Sequence, residues 1–453
     1  MCGIFGIRST PDAARLTQLG LYSLQHRGQE SAGVAVVEPD GQAHIVRTMG
    51  TLSEGMAREL EQLPGDMAIG HTRYSTAGSS TIENAQPIFV QSRGGYISLA
   101  HNGNLVNAVQ VRAELEASGS IFSTNSDSEV IVHRLAKSHA PTPVARMTEA
   151  LTGLEGAYSL VATIGRTLLA ARDPRGWRPL VMGRLNGAVV FASETCALDI
   201  VGAVVEREVA PGEIVVVDDT GVQVIQALEA RAPKKCVFEY VYFARPDSMV
   251  FGASVSRARR ALGRQLAREH PAPTAELVFS VPDSSNSAAL GFAEVSGLPY
   301  ELALIRNHYV GRTFIQPTQA GRDAKVKVKY NPVREVIAGK SVVMVDDSIV
   351  RGTTTRGLVA MIRAAGAREV HLRVSSPPIK FPCYYGIDTP TRGELIAANL
   401  SQDEIARKLG VDSLGYLSLE GMLGAVPEGP DGFCDACFSG NYPTELPPDL
   451  QKC

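Results

Sequence analysis

The sequence predicts two successive folds in one chain: an α+β half built on antiparallel sheets packed with helices, then an α/β half built on a parallel sheet. Three observations carry that reading. The length of 453 residues exceeds what one core usually holds. Up to about residue 228 the apolar segments are short and separated by glycine and asparagine turns, as in hairpin-linked strands. Past a basic, proline-containing stretch, Arg231-Ala232-Pro233-Lys234-Lys235, strands alternate with helical periodicity, which is the pattern of parallel sheets. The expected domains are therefore 2–230 and 231–453.

In the first half, residues 32–37, 68–70, 96–100 and 187–192 read as strands, and helical spacing runs over 13–24, 109–117, 128–136 and 144–151. In the second, strand 276–281 precedes helix 285–296, strand 341–345 precedes helix 353–365, and strand 369–374 follows. The stretch 256–270 holds Arg257, Arg259, Arg260, Arg264 and Arg268. It reads as a solvated helix face, with an anion site as the alternative.

Composition is that of a globular protein, 44% hydrophobic and 20% charged, with a formal net charge of -3. That charge supplies no basic field for nucleic acid phosphates. No apolar run approaches the roughly 20 residues that span a bilayer, and no cationic segment leads into an apolar one near the start. A cytoplasmic protein without nucleic-acid or membrane partners is expected. Its seven cysteines do not suit a disulfide framework, which belongs to small secreted domains.

The chain begins Met1-Cys2-Gly3-Ile4, so loss of Met1 places a thiol and a free α-amine on one residue. An α-amine titrates near 7.7–8.0 and a thiol at about 8.5, so the amine can take the thiol's proton near neutrality. A buried apolar cysteine is the plainer reading, and other motifs must decide. Those motifs are Leu24-Gln25-His26-Arg27-Gly28-Gln29, His71-Thr72-Arg73-Tyr74, His101-Asn102-Gly103-Asn104 and Asn125-Ser126-Asp127-Ser128. Arg73 offers a bidentate fork for a carboxylate, and a side-chain amide beside a backbone N–H can hold an oxyanion. Singly, Arg73 suits an ion pair, Asp127 a helix cap and Asn102-Gly103 a hairpin turn. Arg27 and Gln29 read as structural.

In the second half, an apolar strand delivers Asp346 and Asp347 to its carboxyl end, and Ser348 through Thr354 form a glycine- and hydroxyl-rich turn into a helix. Ligands bind at such strand ends in parallel sheets, and a helix start holds phosphate. A Walker loop is excluded, because Gly339-Lys340-Ser341 would need glycine where Arg334 stands. The segment from Arg306 through His308 to Ile315 reads as a loop able to close over a pyrophosphate. Ser284, in Pro282-Asp283-Ser284-Ser285, could add a hydroxyl ligand for magnesium. Cys236, Cys383 and the C-x-x-C pair Cys434 and Cys437 suit either zinc or a [4Fe–4S] cluster, which spacing does not separate. Cys196 reads as core, and Cys453 falls in a proline-rich tail expected to be mobile.

Together these motifs resemble the N-terminal-nucleophile glutaminase domain of amidotransferases followed by a type I phosphoribosyltransferase domain. Over nearly the whole chain the resemblance is to the cluster-bearing branch of the amidophosphoribosyltransferases. It implies Cys2 as nucleophile, its α-amine as base, Asn102 and Gly103 as the oxyanion hole, and Arg73 and Asp127 as glutamine ligands. It implies phosphoribosyl pyrophosphate at Asp346, Asp347, Ser348, Arg351, Gly352, Thr353 and Thr354, with Mg2+ at Ser284, Asp346 and Asp347. A [4Fe–4S] cluster on Cys236, Cys383, Cys434 and Cys437 follows from the same likeness. So do inhibition by purine nucleotides, a homotetramer, and the reaction: glutamine hydrolysis feeding ammonia through a closed internal path to C1 of phosphoribosyl pyrophosphate, giving 5-phosphoribosylamine in the first committed step of purine synthesis. Two features depart from the branch. Only Met1 precedes the nucleophile where relatives often carry a propeptide, and His308 stands in the loop where a cation is common. Rival readings are an amidotransferase with another acceptor, against which Asp346-Asp347 argues, and a non-catalytic phosphoribosyl pyrophosphate sensor, which would need a basic surface.

Overall fold

The computed structural model describes residues 1–75, 78–93, 95–307, 328–427 and 429–447. In the first half two antiparallel sheets lie face to face. The larger has strands in the order Val204–Glu208, Val181–Leu185, Ala188–Ala192, Gly3–Arg8, Met67–Arg73, Ser31–Val37 and Ala43–Met49. The smaller runs Gly221–Gln226, Glu213–Asp218, Thr167–Arg172, Gly156–Ile164, Gly95–Leu105 and Ile88–Ser92. Period-2 alternation fills both sides of the first strand. Ile4 enters the layer between the sheets with Ile69, Ala100, Val161 and Phe191. Phe5 and Ile7 face the helices Ala13–Ser23 and Thr195–Val201 on the outside. Helices Ala108–Ala117, Glu129–Lys137 and Pro143–Leu151 cover the other sheet, giving four layers, helix–sheet–sheet–helix.

The second half holds a parallel sheet in the order Leu277–Ser280, Ser341–Asp346, Glu369–Val374 and Ser413–Tyr416. Val343 and Val345 face helices Val255–Glu269 and Asn286–Ser296. Val342 and Met344 face Thr353–Ala364 and Gln402–Leu409. All six residues of Ser341–Asp346 are buried, and the middle of this central strand, Val342 to Val345, is a continuous apolar run.

Two expectations need correction. Asn102-Gly103 is no hairpin turn: the strand reaches Leu105, pairing Asn102 with Ser159 and Gly103 with Tyr158. The neighbouring strand Gly156–Ile164 continues alongside and supplies backbone partners that a short-range turn signal does not register. The arginine-rich helix is not wholly a solvated face either. Arg259 is buried, donating to the carbonyls of Tyr240 (2.7 Å) and Ala244 (2.8 Å), while Arg260 and Arg264 pair with Glu294 at the surface.

Candidate active sites and the cysteine centre

The central strand Gly3–Arg8 positions Cys2 at its amino end, beside the carboxyl end of Met67–Arg73 and against Asn102 on the second sheet. The Cys2 N–H donates to Asn102 Oδ1 at 3.2 Å, and the thiol contacts the Tyr74 carbonyl at 3.6 Å. Asn102 is fully buried, and its Nδ2 has no hydrogen-bond partner among the described residues. A buried amide donor left unpaired costs free energy unless a ligand completes it. Gly103 is required by close approach, since a Cβ there would lie 1.9 Å from the Ala157 oxygen.

Met1 is present in this structure and buried, so the atom that would be the Cys2 amine is a peptide nitrogen. The Met1 amine is itself pulled down to about 6, by burial and by the cations Arg178 and Arg27. Arg73 points back into its own half, donating to Glu30 (2.8 Å) and to the Ser79 carbonyl (2.9 Å). Asp127 Oδ2 accepts the Leu105 N–H at 2.8 Å, and Oδ1 accepts the Ser128 hydroxyl at 3.2 Å. Cys2, Asn102, Arg73 and Asp127 thus come from four separate segments onto one end of the two sheets. Thr76 and Ala77, just past Arg73, lie outside the described residues.

Behind Cys2 lies a buried ionic network that joins the halves. Arg27 Nε donates to the Cys2 carbonyl at 2.9 Å, and its other nitrogens fork onto Glu239 (2.8 and 3.0 Å) and reach Glu194. Arg178 shares Glu239 at 3.5 Å. Burial opposes charge on Glu194, but His26 and Arg27 outweigh it and hold that carboxyl well below the usual carboxylate range. Glu239 sits on a π-helical turn, Glu239–Phe243, in which Arg259 grips the Tyr240 carbonyl.

In the second half, Asp346 and Asp347 end their strand buried, and both are raised above the usual carboxylate range, by burial first and, for Asp346, by the charge of Asp347. Ser284 and Ser348 donate to Asp347, and the Asp347 N–H donates to Asp346. Gly352 caps the helix Thr353–Ala364 with φ +74°, where a Cβ would lie 2.8 Å from Ile396 Cδ1. Thr353 and Thr354 stand exposed at that helix start, and Arg351 is held to one side by Glu394. Arg306 pairs with Asp283, whereas His308 through Ile315 lie outside the described residues.

Cys236, Cys383, Cys434 and Cys437 line one cavity with Trp177, Arg178 and Tyr385. Parallel pairing of Lys235–Cys236 with Phe433–Cys434 sets the first and third thiols side by side. Burial pushes the Cys236 thiol up to about 11 and those of Cys434 and Cys437 well above the ordinary thiol value, with neighbouring thiols adding to the shift. Among the described residues no group of three or more His, Cys, Asp or Glu side chains closes on a single metal-ion position. Cys196 is core, as expected, its thiol pushed up to about 12 by burial and Glu194. Cys453 lies outside the described residues.

Residues 71–199 match the family model of the glutamine amidotransferase domain. An Arabidopsis thaliana protein, the chloroplastic amidophosphoribosyltransferase 2, is 51% identical over 453 residues, covering 100% of this chain and 81% of the relative. The chain belongs to the amidophosphoribosyltransferase family. The amidophosphoribosyltransferase of Bacillus subtilis is 49% identical, over 98% of this chain and 94% of its own. A solved structure described as the allosteric regulatory enzyme of purine biosynthesis superposes with TM-score 0.93 at 48% identity, over 100% of this chain and 98% of its own. A Bacillus subtilis glutamine phosphoribosylpyrophosphate amidotransferase complexed with ADP and GMP does so with TM-score 0.93 at 47% identity, over 100% and 99%. The fold is therefore an N-terminal-nucleophile glutaminase sandwich followed by a phosphoribosyltransferase-type parallel sheet, and the chain is an amidophosphoribosyltransferase of purine biosynthesis. No helix among the described residues is long and apolar enough to cross a membrane.

Sequence reasoning missed the acidic partners of Arg27 behind Cys2, Glu194 and Glu239. One signal existed: Glu239 is a lone charge in the apolar run Val237-Phe238-Glu239-Tyr240-Val241. Such a charge is buried only if paired.

Proposed function

We propose that Cys2, freed by loss of Met1, attacks the glutamine carboxamide carbon, with its α-amine taking the thiol proton. Asn102 Nδ2 and the Gly103 N–H hold the developing oxyanion, ammonia leaves, and water releases glutamate from the thioester. Arg73 binds the substrate carboxylate and Asp127 its ammonium, each held by neighbours that keep the group oriented. One observation carries this reading: Asn102 touches the Cys2 nitrogen with its oxygen while its buried amide nitrogen is left unpaired.

Ammonia then attacks C1 of phosphoribosyl pyrophosphate as pyrophosphate leaves. Asp346 and Asp347 accept the ribose hydroxyls, and Ser348, Arg351, Gly352, Thr353 and Thr354 hold the sugar phosphate at the helix start. Two buried carboxyls with raised affinity for protons fit a divalent cation, which Ser284, Asp346 and Asp347 would hold; Mg2+ there would neutralise charge on the departing pyrophosphate. Four thiols around one cavity fit a [4Fe–4S] cluster in a structural or oxygen-sensing role. The domain limits 2–230 and 231–453, a homotetramer, inhibition by purine nucleotides and a cytoplasmic location belong to the same proposal. The ADP and GMP bound to the Bacillus subtilis relative support the nucleotide part.

The test compares glutamine- and ammonia-driven synthesis. Arg73→Ala is expected to abolish the first and spare the second; equal loss of both would contradict the division of labour. N-terminal mass measurement on active protein must find Cys2 first.

A further inference from the structure

The strand that carries Asn102 and Gly103 is touched by a turn from the other half of the chain. Gly386 has φ +103°, and a Cβ on it would lie 2.9 Å from the Gly103 carbonyl carbon, 3.0 Å from its oxygen and 3.1 Å from its Cα. Gly103 is also tightly packed against the adjacent strand, where a Cβ on it would lie 1.9 Å from the Ala157 oxygen. The Gly103 backbone is thus closely approached by two other backbones, one from each half.

The turn is itself fixed from several sides. Asn104 Nδ2 donates to the Tyr384 carbonyl at 3.0 Å. The buried guanidinium of Arg178 donates to the Tyr385 carbonyl, from Nε at 3.0 Å. The Tyr385 ring stacks on Trp177 with centroids 3.9 Å apart, and its hydroxyl meets Thr444 Oγ1 at 2.8 Å. The Tyr385 N–H donates to Cys383 Sγ at 3.3 Å. A surface loop would need none of this. A buttress would.

We propose that the Tyr384-Tyr385-Gly386 turn is a working part of the glutaminase, with Gly386 as a positioning residue that holds the carbonyl and Cα of Gly103 and, through that Cα, the Gly103 N–H for oxyanion binding. This rests on the reading of Asn102 and Gly103 as the oxyanion pair. An oxyanion hole acts on the tetrahedral intermediate and not on bound glutamine, so displacing one donor lowers kcat and spares KM. Complete loss of one donor costs about 10²–10³ in kcat, and a displaced peptide a fraction of that.

The experiment is Gly386→Ala in the full-length protein, with kcat and KM for glutamine measured beside ammonia-driven synthesis. The expected result is a fall in glutamine-driven kcat of about tenfold or more, KM within about twofold, and ammonia-driven synthesis retained. An unchanged kcat, a loss carried by KM, or equal loss of both reactions would overturn the proposal. If Gly386→Ala does not accumulate folded, Asn104→Ala decides in its place, since it removes only the grip on Tyr384. A selective fall in kcat supports the buttress, and parent-like kinetics refute it. Asn102→Ala separates the two layers of argument. If it keeps full glutaminase activity, the oxyanion assignment fails; if it loses activity while Gly386→Ala does not, only the role of the turn fails.

Discussion

Truncating Glu239 to alanine strikes the ionic network where its charge balance is thinnest. Its carboxylate forks onto Arg27 at 2.8 and 3.0 Å and approaches Arg178 at 3.5 Å, and all three side chains are fully buried. Without it, Arg178 has no carboxylate partner among the described residues, and Arg27 keeps only Glu194, which also serves His26 at 2.8 Å. Removing one partner of a buried pair costs about 3–5 kcal/mol, because the remaining charge stays desolvated. For a folding unit near 200 residues each kcal/mol shifts melting by about 2–4 °C, so a fall of about 6–20 °C is expected. Glu239→Gln keeps the shape and one acceptor and should fall between the parent and Glu239→Ala. Differential scanning calorimetry measures all three, with glutamine- and ammonia-driven synthesis assayed in parallel. Because Arg27 also holds the Cys2 carbonyl, the glutamine-driven rate should fall more than the ammonia-driven one. Replacing both partners, Arg27→Met with Glu239→Leu, should melt above Glu239→Ala, since removing Arg27 as well lowers the excess of buried cations over carboxylates. A Glu239→Ala protein melting within about 1 °C of the parent would refute the premise that this carboxylate neutralises the buried pair of arginines.

Asn102→Ala should lower glutaminase kcat by about 10²–10³ while ammonia-driven synthesis persists. In metal-free protein the Asp346–Asp347 pair binds protons more tightly folded than unfolded, so its contribution to stability falls as pH rises above the ordinary carboxylate range. Asp346→Asn should therefore melt higher than the parent at pH 8 in chelator, and show less of the stabilisation by Mg2+ with phosphoribosyl pyrophosphate that the proposed site predicts for the parent. His71 is pulled down to about 3 by burial, so the unfolded chain takes its proton first and stability drains away as pH falls from about 6.5 toward 3. His71→Gln should flatten that acid limb in urea titrations run at successive pH values. Anaerobically purified protein should contain iron and sulfide that Cys434→Ser loses, and stoichiometric zinc in their place would remove the cluster.

By itself the sequence determined the two fold classes, most of the helices and strands it named to within a residue or two, and the local form of the second site. An apolar strand ending in Asp346-Asp347 and a left-handed Gly352 before a helix are short-range patterns, set by alternation, helical spacing and the freedom of one glycine. The first site was legible only as a set of residue types. Tertiary structure decided that Asn102-Gly103 lies within a strand and that Glu239 closes on Arg27 across the join between the halves. It also brought Cys236 beside Cys434, and Tyr384 against Asn104 across 280 positions of sequence. The physical reason is range. Backbone periodicity is fixed by neighbours a few residues away, whereas burying a guanidinium or bringing a distant turn against the Gly103 backbone requires partners that only the packing of one half on the other can deliver.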